Sequence, residues 1–208
     1  MKTAVIWDLD GTLFDSYDVI VNSLLLTLQE KGVVLSYEDI RRHAIEFSIR
    51  SLLTKISTEY GVSAEELHNR YSQISRDHYL TIKPMNHAVE VLQTLADRGV
   101  ENYVFTHRGQ TTIPVLENLE MMHYFREIIT SQSGFARKPN PEGLQYLLNK
   151  HHLCAEQTYY VGDRSIDMDC AANAGITGIL FLPPGCIDVS GGTERFIVKD
   201  LLDILEII

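Results

Sequence analysis

The chain has 208 residues, of which 45% are hydrophobic and 22% charged, and its formal net charge is −10. This length suffices for one sizeable core plus an insertion, and the composition is typical of a soluble globular protein. The negative charge argues against nucleic acid and against an anionic membrane as partners, because both carry charge of the same sign.

The cysteines and the N-terminal sequence indicate the cellular compartment in which we expect the protein. Cys154, Cys170 and Cys186 lie far apart in sequence and form no Cys-x-x-Cys pair, so we expect reduced thiols. No apolar run reaches about 18 residues, and no signal peptide precedes the first predicted strand. We therefore expect a cytoplasmic protein with no membrane partner, either a monomer or a homodimer.

The first predicted element is a strand at Ala4–Trp7, an apolar run followed by Asp8-Leu9-Asp10-Gly11-Thr12. Two carboxylates two residues apart, released from a strand end, point the same way. Such a pair can hold a hard cation and divide the catalytic labour, one carboxylate attacking and the other moving protons. The alternative interpretation is an acidic turn that merely closes the strand.

The next segment, residues 15 to about 82, is helical in character. Apolar residues at helical spacing precede Gly32, and Ser36 and Ser63 are placed as N-caps of later helices. This pattern predicts an insert of four or five helices after the first strand. Within it, Arg50 is a candidate contact for a substrate carboxylate or second phosphate, and the alternative is a surface salt bridge.

After Pro84 the pattern alternates between strands and helices. Strands are predicted at Glu101–Thr106, Glu127–Thr130, Thr158–Gly162 and Gly178–Leu182, with helices between them and a short C-terminal strand and helix after them. This alternation implies right-handed crossovers and a parallel sheet. We predict an α/β fold in which residues 1–14 and 84–208 form a doubly wound parallel core sheet, interrupted by an inserted α-helical domain at 15–83.

Three further polar motifs end predicted elements of this core. Thr106 follows an apolar run, Lys138 precedes a proline, and Asp163 and Asp167 follow another apolar run. Together with Asp8-x-Asp-Gly-Thr, this order of motifs resembles the haloacid dehalogenase-like hydrolases over residues 4 to 182. The resemblance is to the subfamily with a C1-type helical cap, which includes phosphoglycolate phosphatases and β-phosphoglucomutases, and it implies a Rossmann-like core.

The resemblance also implies roles for the motif residues. Asp8 would be the nucleophile that forms an aspartyl-phosphate, and Asp10 would protonate the leaving alkoxide and later deprotonate water. Thr106 and Lys138 would contact the phosphate, and Arg108, which extends the second motif, is either a substrate contact or an exposed arginine. The structural alternatives are a turn cap for Thr106 and a solvated loop lysine for Lys138.

A magnesium site is expected in the same place. Mg²⁺ suits a site whose donors are all oxygen atoms. The resemblance implies that the Asp8 carboxylate, the Asp10 backbone carbonyl and the Asp163 carboxylate hold the ion, with Asp167 acting through a metal-bound water. As structural alternatives, Asp163 would be the N-cap of the helix that opens at Ser165, and Asp167 a first-turn acid favoured by the helix dipole.

These features predict a Mg²⁺-dependent phosphatase that acts on a small phosphorylated metabolite. A phosphomutase similar to β-phosphoglucomutase uses the same motifs and remains the main alternative, and a non-catalytic regulatory or binding module is a third. A dehalogenase is disfavoured because those relatives replace the second aspartate of the first motif. A phosphonatase is disfavoured because those relatives lack an acid at the position of Asp10.

Overall fold

The computed structural model describes residues 2–187 and 189–208. The chain divides into two units, one formed by the segment that ends at Asp15 together with Lys83–Ile208, the other by Ser16–Ile82. The ranges expected for the core contain Met1 and Asp188, which lie outside the described residues.

The first unit is built on a parallel sheet. The strands are β1 (Ala4–Trp7), β2 (Phe14–Asp15), β3 (Lys83–Pro84), β4 (Glu101–Phe105), β5 (Phe125–Ile129), β6 (Thr158–Gly162), β7 (Thr177–Phe181) and β8 (Phe196–Val198). Over the described part of the chain, six of them form one parallel sheet of order β5-β4-β1-β6-β7-β8, and β2 pairs antiparallel with β3. The predicted α/β fold with a doubly wound parallel sheet is confirmed.

Eight α-helices lie within residues 2–187 and 189–208. They are α1 (Tyr17–Gln29), α2 (Tyr37–Glu46), α3 (Ile49–Tyr60), α4 (Ala64–His78), α5 (Ala88–Asp97), α6 (Thr112–Asn118), α7 (Glu142–His151) and α8 (Ser165–Ala174). Short 3-10 helices occur at Tyr79–Thr81, Met122–Tyr124, Ala155–Gln157 and Leu201–Glu206. In the part of the chain that the structure describes, no helix has both the length and the apolar character that crossing a membrane requires.

Strand β1 lies in the interior of the sheet, and its burial accounts for its apolar sequence. All four of its residues are fully buried, because β4 and β6 pair with its two edges and other elements cover its faces. A strand buried on both faces reads as a continuous apolar run rather than an alternating one. The chain moves to one side of β1 through β4 and β5 and to the other through β6, β7 and β8, so the strand order reverses at β1.

The second unit has a hydrophobic core of its own, formed by apolar residues of α1 to α4, among them Leu24, Leu53 and Leu67. Its helix starts follow the expected capping chemistry. The Ser36 hydroxyl accepts a hydrogen bond from the backbone N–H of Asp39 at 3.1 Å, and the Ser63 hydroxyl accepts one from the next turn in the same way. These contacts satisfy N–H groups that the first helical turn leaves without a partner.

Strands β4 and β7 differ from their predicted bounds by one residue, and two other elements differ more. Strand β5 begins at Phe125, two residues before the predicted start at Glu127, because Phe125 pairs with Asn102 across an irregularity in the register with β4. The C-terminal segment expected to be a helix is the 3-10 helix Leu201–Glu206. Its start is fixed by Asp200, whose side chain accepts a hydrogen bond from the Leu202 N–H at 2.9 Å.

The contact between α7 and β4 generates a test of core packing. A methyl group at Gly143 would lie 2.7 Å from Cε2 of the buried Phe105 ring. Alanine improves helix propensity by about 1 kcal/mol, but overpacking a rigid core typically costs about 1–3 kcal/mol. We expect Gly143→Ala to lower the free energy of unfolding, measured by urea titration.

Gly191→Ala is the matched control, because the nearest atom to its added Cβ is 3.7 Å away, and it should change stability by less than about 0.5 kcal/mol. A Gly143→Ala protein more stable than the wild type would contradict the packing argument.

Candidate active site

Three of the predicted site residues directly follow three neighbouring strands of the sheet. Asp8 follows β1, Thr106 follows β4 and Asp163 follows β6, and β1 lies between the other two strands in the sheet. Parallel strands that are neighbours end at the same edge of a sheet, which is where ligands bind in doubly wound folds. The topology alone therefore brings a carboxylate, a hydroxyl and a second carboxylate to one edge.

The turn after β1 is held by backbone contacts. The Asp8 N–H donates to the Val161 carbonyl at 2.8 Å, which fixes the backbone from which the carboxylate projects. Gly11 has a φ of 80°, a left-handed conformation that glycine adopts without steric cost. The Thr12 hydroxyl lies 3.5 Å from Oδ1 of Asp163, so the turn also reaches the end of β6.

The ammonium group of Lys138 links two of the site's carboxylates. Its Nζ donates to Oδ1 of Asp8 at 2.8 Å and to Oδ1 of Asp167 at 2.7 Å, and its side chain is fully buried. The same Nζ lies 5.4 Å from the ring centroid of Phe105 and 5.2 Å from that of Tyr160, within the range of a cation–π interaction. The interpretation of Lys138 as a solvated loop lysine is wrong.

Asp167 is fixed from several directions. Its Oδ1 accepts from Lys138 and from the Tyr160 hydroxyl at 3.3 Å, and its Oδ2 accepts from the Arg164 N–H at 3.2 Å. A Cβ at Gly162 would lie 2.5 Å from Cβ of Asp167, so only glycine leaves room for this carboxyl group. Burial raises the pKa of Tyr160 well above its ordinary value, so its hydroxyl keeps the proton that it donates to the Phe105 carbonyl at 2.9 Å and to Asp167.

Three carboxylates together form a candidate metal centre. Oxygen atoms of Asp8, Asp163 and Asp167 lie within 4.8 Å of one another, and all three residues are buried. The donors are carboxylate oxygens, which suit a hard cation such as Mg²⁺ rather than a thiolate- or imidazole-bound metal. One lysine bridges two of three acids, so a bound cation would also reduce the remaining like-charge repulsion. The residues present therefore fit a divalent metal ion.

Burial and charge act in opposite directions on the central pair. Burial raises the pKa of Asp8, and the neighbouring Lys138 ammonium limits that rise. Burial alone would lower the pKa of Lys138, but the carboxylates of Asp167 and Asp8 outweigh it and raise the pKa. The lysine thus stays charged, and a cation bound beside Asp8 would favour the ionised carboxylate further.

Thr106 and Arg108 lie on the loop after β4. The Thr106 hydroxyl accepts from the Arg108 N–H at 3.1 Å, which is the turn-capping role considered for it and leaves the hydroxyl proton available. Arg108 is not exposed: its side chain is 7% accessible, and its Nη1 donates to Oδ1 of Asp10 at 2.5 Å. The guanidinium also lies 5.9 Å from the Phe14 ring centroid. Arg108 is therefore tied to the residue expected to move protons.

His107, between these two residues, contacts the lysine segment. Its Nε2 accepts a hydrogen bond from the backbone N–H of Lys138 at 2.8 Å. Burial lowers the pKa of His107 to about 2, and the positive charges of Lys138, Arg137 and Arg164 add to this effect. The ring is consequently neutral at physiological pH, with its proton on Nδ1.

The arrangement of the site agrees with a comparison of the sequence with known families. The model for haloacid dehalogenase-like hydrolases matches residues 5–181. The chain belongs to this family.

Three relatives illustrate the similarity to known proteins. A phosphoglycolate phosphatase of Aliivibrio fischeri is 28% identical over 181 residues, covering 82% of this chain and 80% of the relative. A pyrophosphatase PpaX of Bacillus mycoides is 28% identical over 173 residues, covering 82% and 79%. A haloacid dehalogenase-like protein of known structure from Streptococcus pneumoniae has a TM-score of 0.82 at 24% identity, with 99% and 98% covered, a likeness of fold.

The residues predicted for the site lie in both units of the chain. The first unit brings together Asp8, Asp10, Thr106, Arg108, Lys138, Asp163 and Asp167. Arg50 lies in the first turn of α3 in the other unit and is exposed, so its role as a substrate contact stays a prediction. The suggestion that Asp163 is the N-cap of α8 is wrong, because Arg164 occupies that position, while Asp167 does lie in the first turn.

Sequence reasoning placed His107 and Gly162 within motifs but assigned no role to either of them or to Tyr160. Gly162 immediately precedes Asp163, and that position was the available signal, since a glycine at a strand end often marks a close approach of another group. No local pattern marks the role of His107 or Tyr160. His107 accepts from the backbone of Lys138, 31 residues away, and the nearest acceptor to the Tyr160 hydroxyl is the Phe105 carbonyl, 55 residues away.

The low pKa of His107 predicts how stability depends on pH. The folded state keeps the ring neutral down to a pKa of about 2, whereas the unfolded chain protonates it near the ordinary value of 6.5. The unfolded state therefore binds more protons below pH 6.5, and stability falls as the pH drops through that value. We expect this group to lower the free energy of unfolding by about 2 kcal/mol between pH 7 and pH 5, measured by urea titration.

His107→Gln is the control, since an amide can accept the same hydrogen bond but does not titrate. The two proteins share every other titrating group, so the difference between them isolates the histidine. Equal losses of stability in both proteins between pH 7 and pH 5 would disprove the neutral, buried imidazole.

Proposed function

We propose that this chain is a Mg²⁺-dependent phosphatase that hydrolyses a small phosphorylated metabolite through an aspartyl-phosphate. The observation that supports this most directly is the buried contact of Lys138 with Asp8 and Asp167 beside a third carboxylate. A carboxylate held by an ammonium group at a potential metal site is suited to attack an anionic phosphate. The names of the phosphatase and pyrophosphatase relatives point to the same class of reaction.

In this proposal Asp8 is the nucleophile. Its backbone is fixed by the hydrogen bond to Val161, and Lys138 holds its Oδ1, so the carboxylate has a defined orientation before substrate binds. Lys138 neutralises charge on the transferred phosphoryl group, and the Thr106 hydroxyl donates to one of its oxygens. Preorganised donors of this kind supply most of the catalysis in phosphoryl transfer.

The magnesium ion belongs to the same proposal. The Asp8 and Asp163 carboxylates and the Asp10 backbone carbonyl would hold it, while Asp167, whose oxygens already accept from Lys138, Tyr160 and Arg164, would act from outside the direct coordination sphere. A bound Mg²⁺ neutralises negative charge between a carboxylate nucleophile and a phosphate. Among the described residues, Asp8, Asp163 and Asp167 form the group of acids whose geometry fits a metal ion.

Asp10 is proposed as the general acid and base. It protonates the leaving alkoxide and then takes a proton from the attacking water. Arg108 holds its carboxylate at 2.5 Å, and the Nε of Arg108 is buried without a hydrogen-bond partner in the described chain. That free donor supports a role for Arg108 in contacting an anionic group of the substrate.

The helical unit Ser16–Ile82 is proposed to select the substrate, in keeping with the cap that the family resemblance implies. Arg50 is its candidate contact to a substrate anion. The three free cysteines support a reducing, cytoplasmic setting. All motif residues of the reaction are present, which favours an enzyme over a regulatory module.

The central experiment removes the nucleophile. Asp8→Asn should reduce hydrolysis of a panel of phosphorylated metabolites by at least about 10⁴-fold, because the amide is isosteric but is neither anionic nor nucleophilic. The wild type should lose turnover in excess chelator and recover it with Mg²⁺, releasing inorganic phosphate.

Asp97→Asn is the matched control, because this carboxylate lies on α5 and accepts only from Gln93 among the described contacts. Turnover by Asp8→Asn near the wild-type rate, or turnover that resists chelation, would refute the proposal. Phosphate that appears on a second sugar instead of in solution would indicate a phosphomutase.

A second prediction concerns Asp10. Asp10→Asn should slow hydrolysis of alkyl phosphates by about 10²–10⁴, the usual contribution of general acid–base catalysis. An aryl phosphate, whose leaving group needs little protonation, should give a burst of aryl alcohol followed by slow turnover, because the hydrolytic water has lost its base. Stopped-flow absorbance measures both phases, and unchanged rates with alkyl phosphates would assign Asp10 a structural role in the turn.

A further inference from the structure

His107 is the one ring in the described site that reaches from the loop after β4 to the lysine segment. Its Nε2 accepts from the Lys138 N–H at 2.8 Å, and its ring meets Phe105 edge to face, with centroids 6.5 Å apart. Phe105 is itself buried. The acceptor atom therefore has a fixed position relative to the end of β4.

The position of Lys138 depends on a contact of this kind with a fixed acceptor. It lies in the irregular segment between β5 and α7, and a lysine side chain has several freely rotating bonds. Its Nζ must nevertheless lie between Asp8 and Asp167 at distances of 2.8 and 2.7 Å. The hydrogen bond from its own N–H to His107 fixes the other end of the residue. A shift of the segment by about 1 Å is enough to change a catalytic rate about 10²-fold.

We propose that His107 is a positioning residue: its unprotonated Nε2 holds the Lys138 backbone and so sets the place of Nζ between Asp8 and Asp167. The proposal rests on the proposed function for the role of Lys138. It assigns His107 no contact with substrate. It also explains why a neutral ring is needed, since an imidazolium has no acceptor and would lie beside three cationic side chains.

The kinetic experiment uses the full chain with Mg²⁺ and an aryl phosphate. His107→Leu keeps a similar volume but removes the acceptor, and we expect kcat to fall about 10²-fold with an unchanged circular dichroism spectrum. His107→Gln keeps an acceptor and should remain within about threefold of the wild type, a conservative rescue that a purely space-filling role would not produce. In His107→Ala, added imidazole should restore part of the lost kcat. Wild-type kcat in a folded His107→Leu, or equal losses in His107→Leu and His107→Gln without imidazole rescue, would overturn the proposal.

A second measurement does not depend on activity. In ¹⁵N-labelled wild-type protein, an N–H···N hydrogen bond gives a scalar coupling between the Lys138 amide nitrogen and His107 Nε2. We expect that coupling, with Nε2 as the unprotonated ring nitrogen. If the coupling is present but the protein has no phosphatase activity, the His107 contact stands and the proposed function fails. If the coupling is absent, the inference is overturned, even if the enzyme is active or His107→Leu does not fold.

Discussion

The ammonium group of Lys138 between Asp8 and Asp167 is the interaction on which the architecture of the site depends. A buried charge is tolerated only when it is paired and hydrogen-bonded, and loss of one partner from such a pair typically costs about 3–5 kcal/mol. The surroundings follow from this requirement. Gly162 leaves space for the Asp167 carboxyl group, and the rings of Phe105 and Tyr160 enclose the cation.

The same site concentrates negative charge where a sheet would otherwise end in a simple turn. Three buried carboxylates within 4.8 Å of one another repel each other, and one lysine offsets this repulsion only in part. Such an arrangement is unfavourable for folding in the absence of a cation and favourable for binding one. Under the proposed function, this repulsion between like charges favours the binding of a metal ion and is not a defect of packing.

Much of this could be predicted from the sequence, for a physical reason. Strands β1 and β6 are buried on both faces, so they appear as uninterrupted apolar runs with predicted bounds that match the structure, and the acids that follow them lie at the same edge. What the sequence could not indicate were contacts between distant segments. The pair Arg108–Asp10 spans 98 residues and the bond from Lys138 to His107 spans 31, and neither has a local pattern.

The loop after β4 supplies three consecutive residues to the site. Its three consecutive residues serve three different groups: Thr106 offers a hydroxyl, His107 accepts from the backbone of Lys138, and Arg108 holds Asp10. Every group proposed for the chemistry lies in one unit, while the helical unit has its own hydrophobic core. Because the geometry of the proposed reacting groups is built without that second core, we expect substitutions in the helical unit to leave Asp8, Lys138 and the acidic cluster in place.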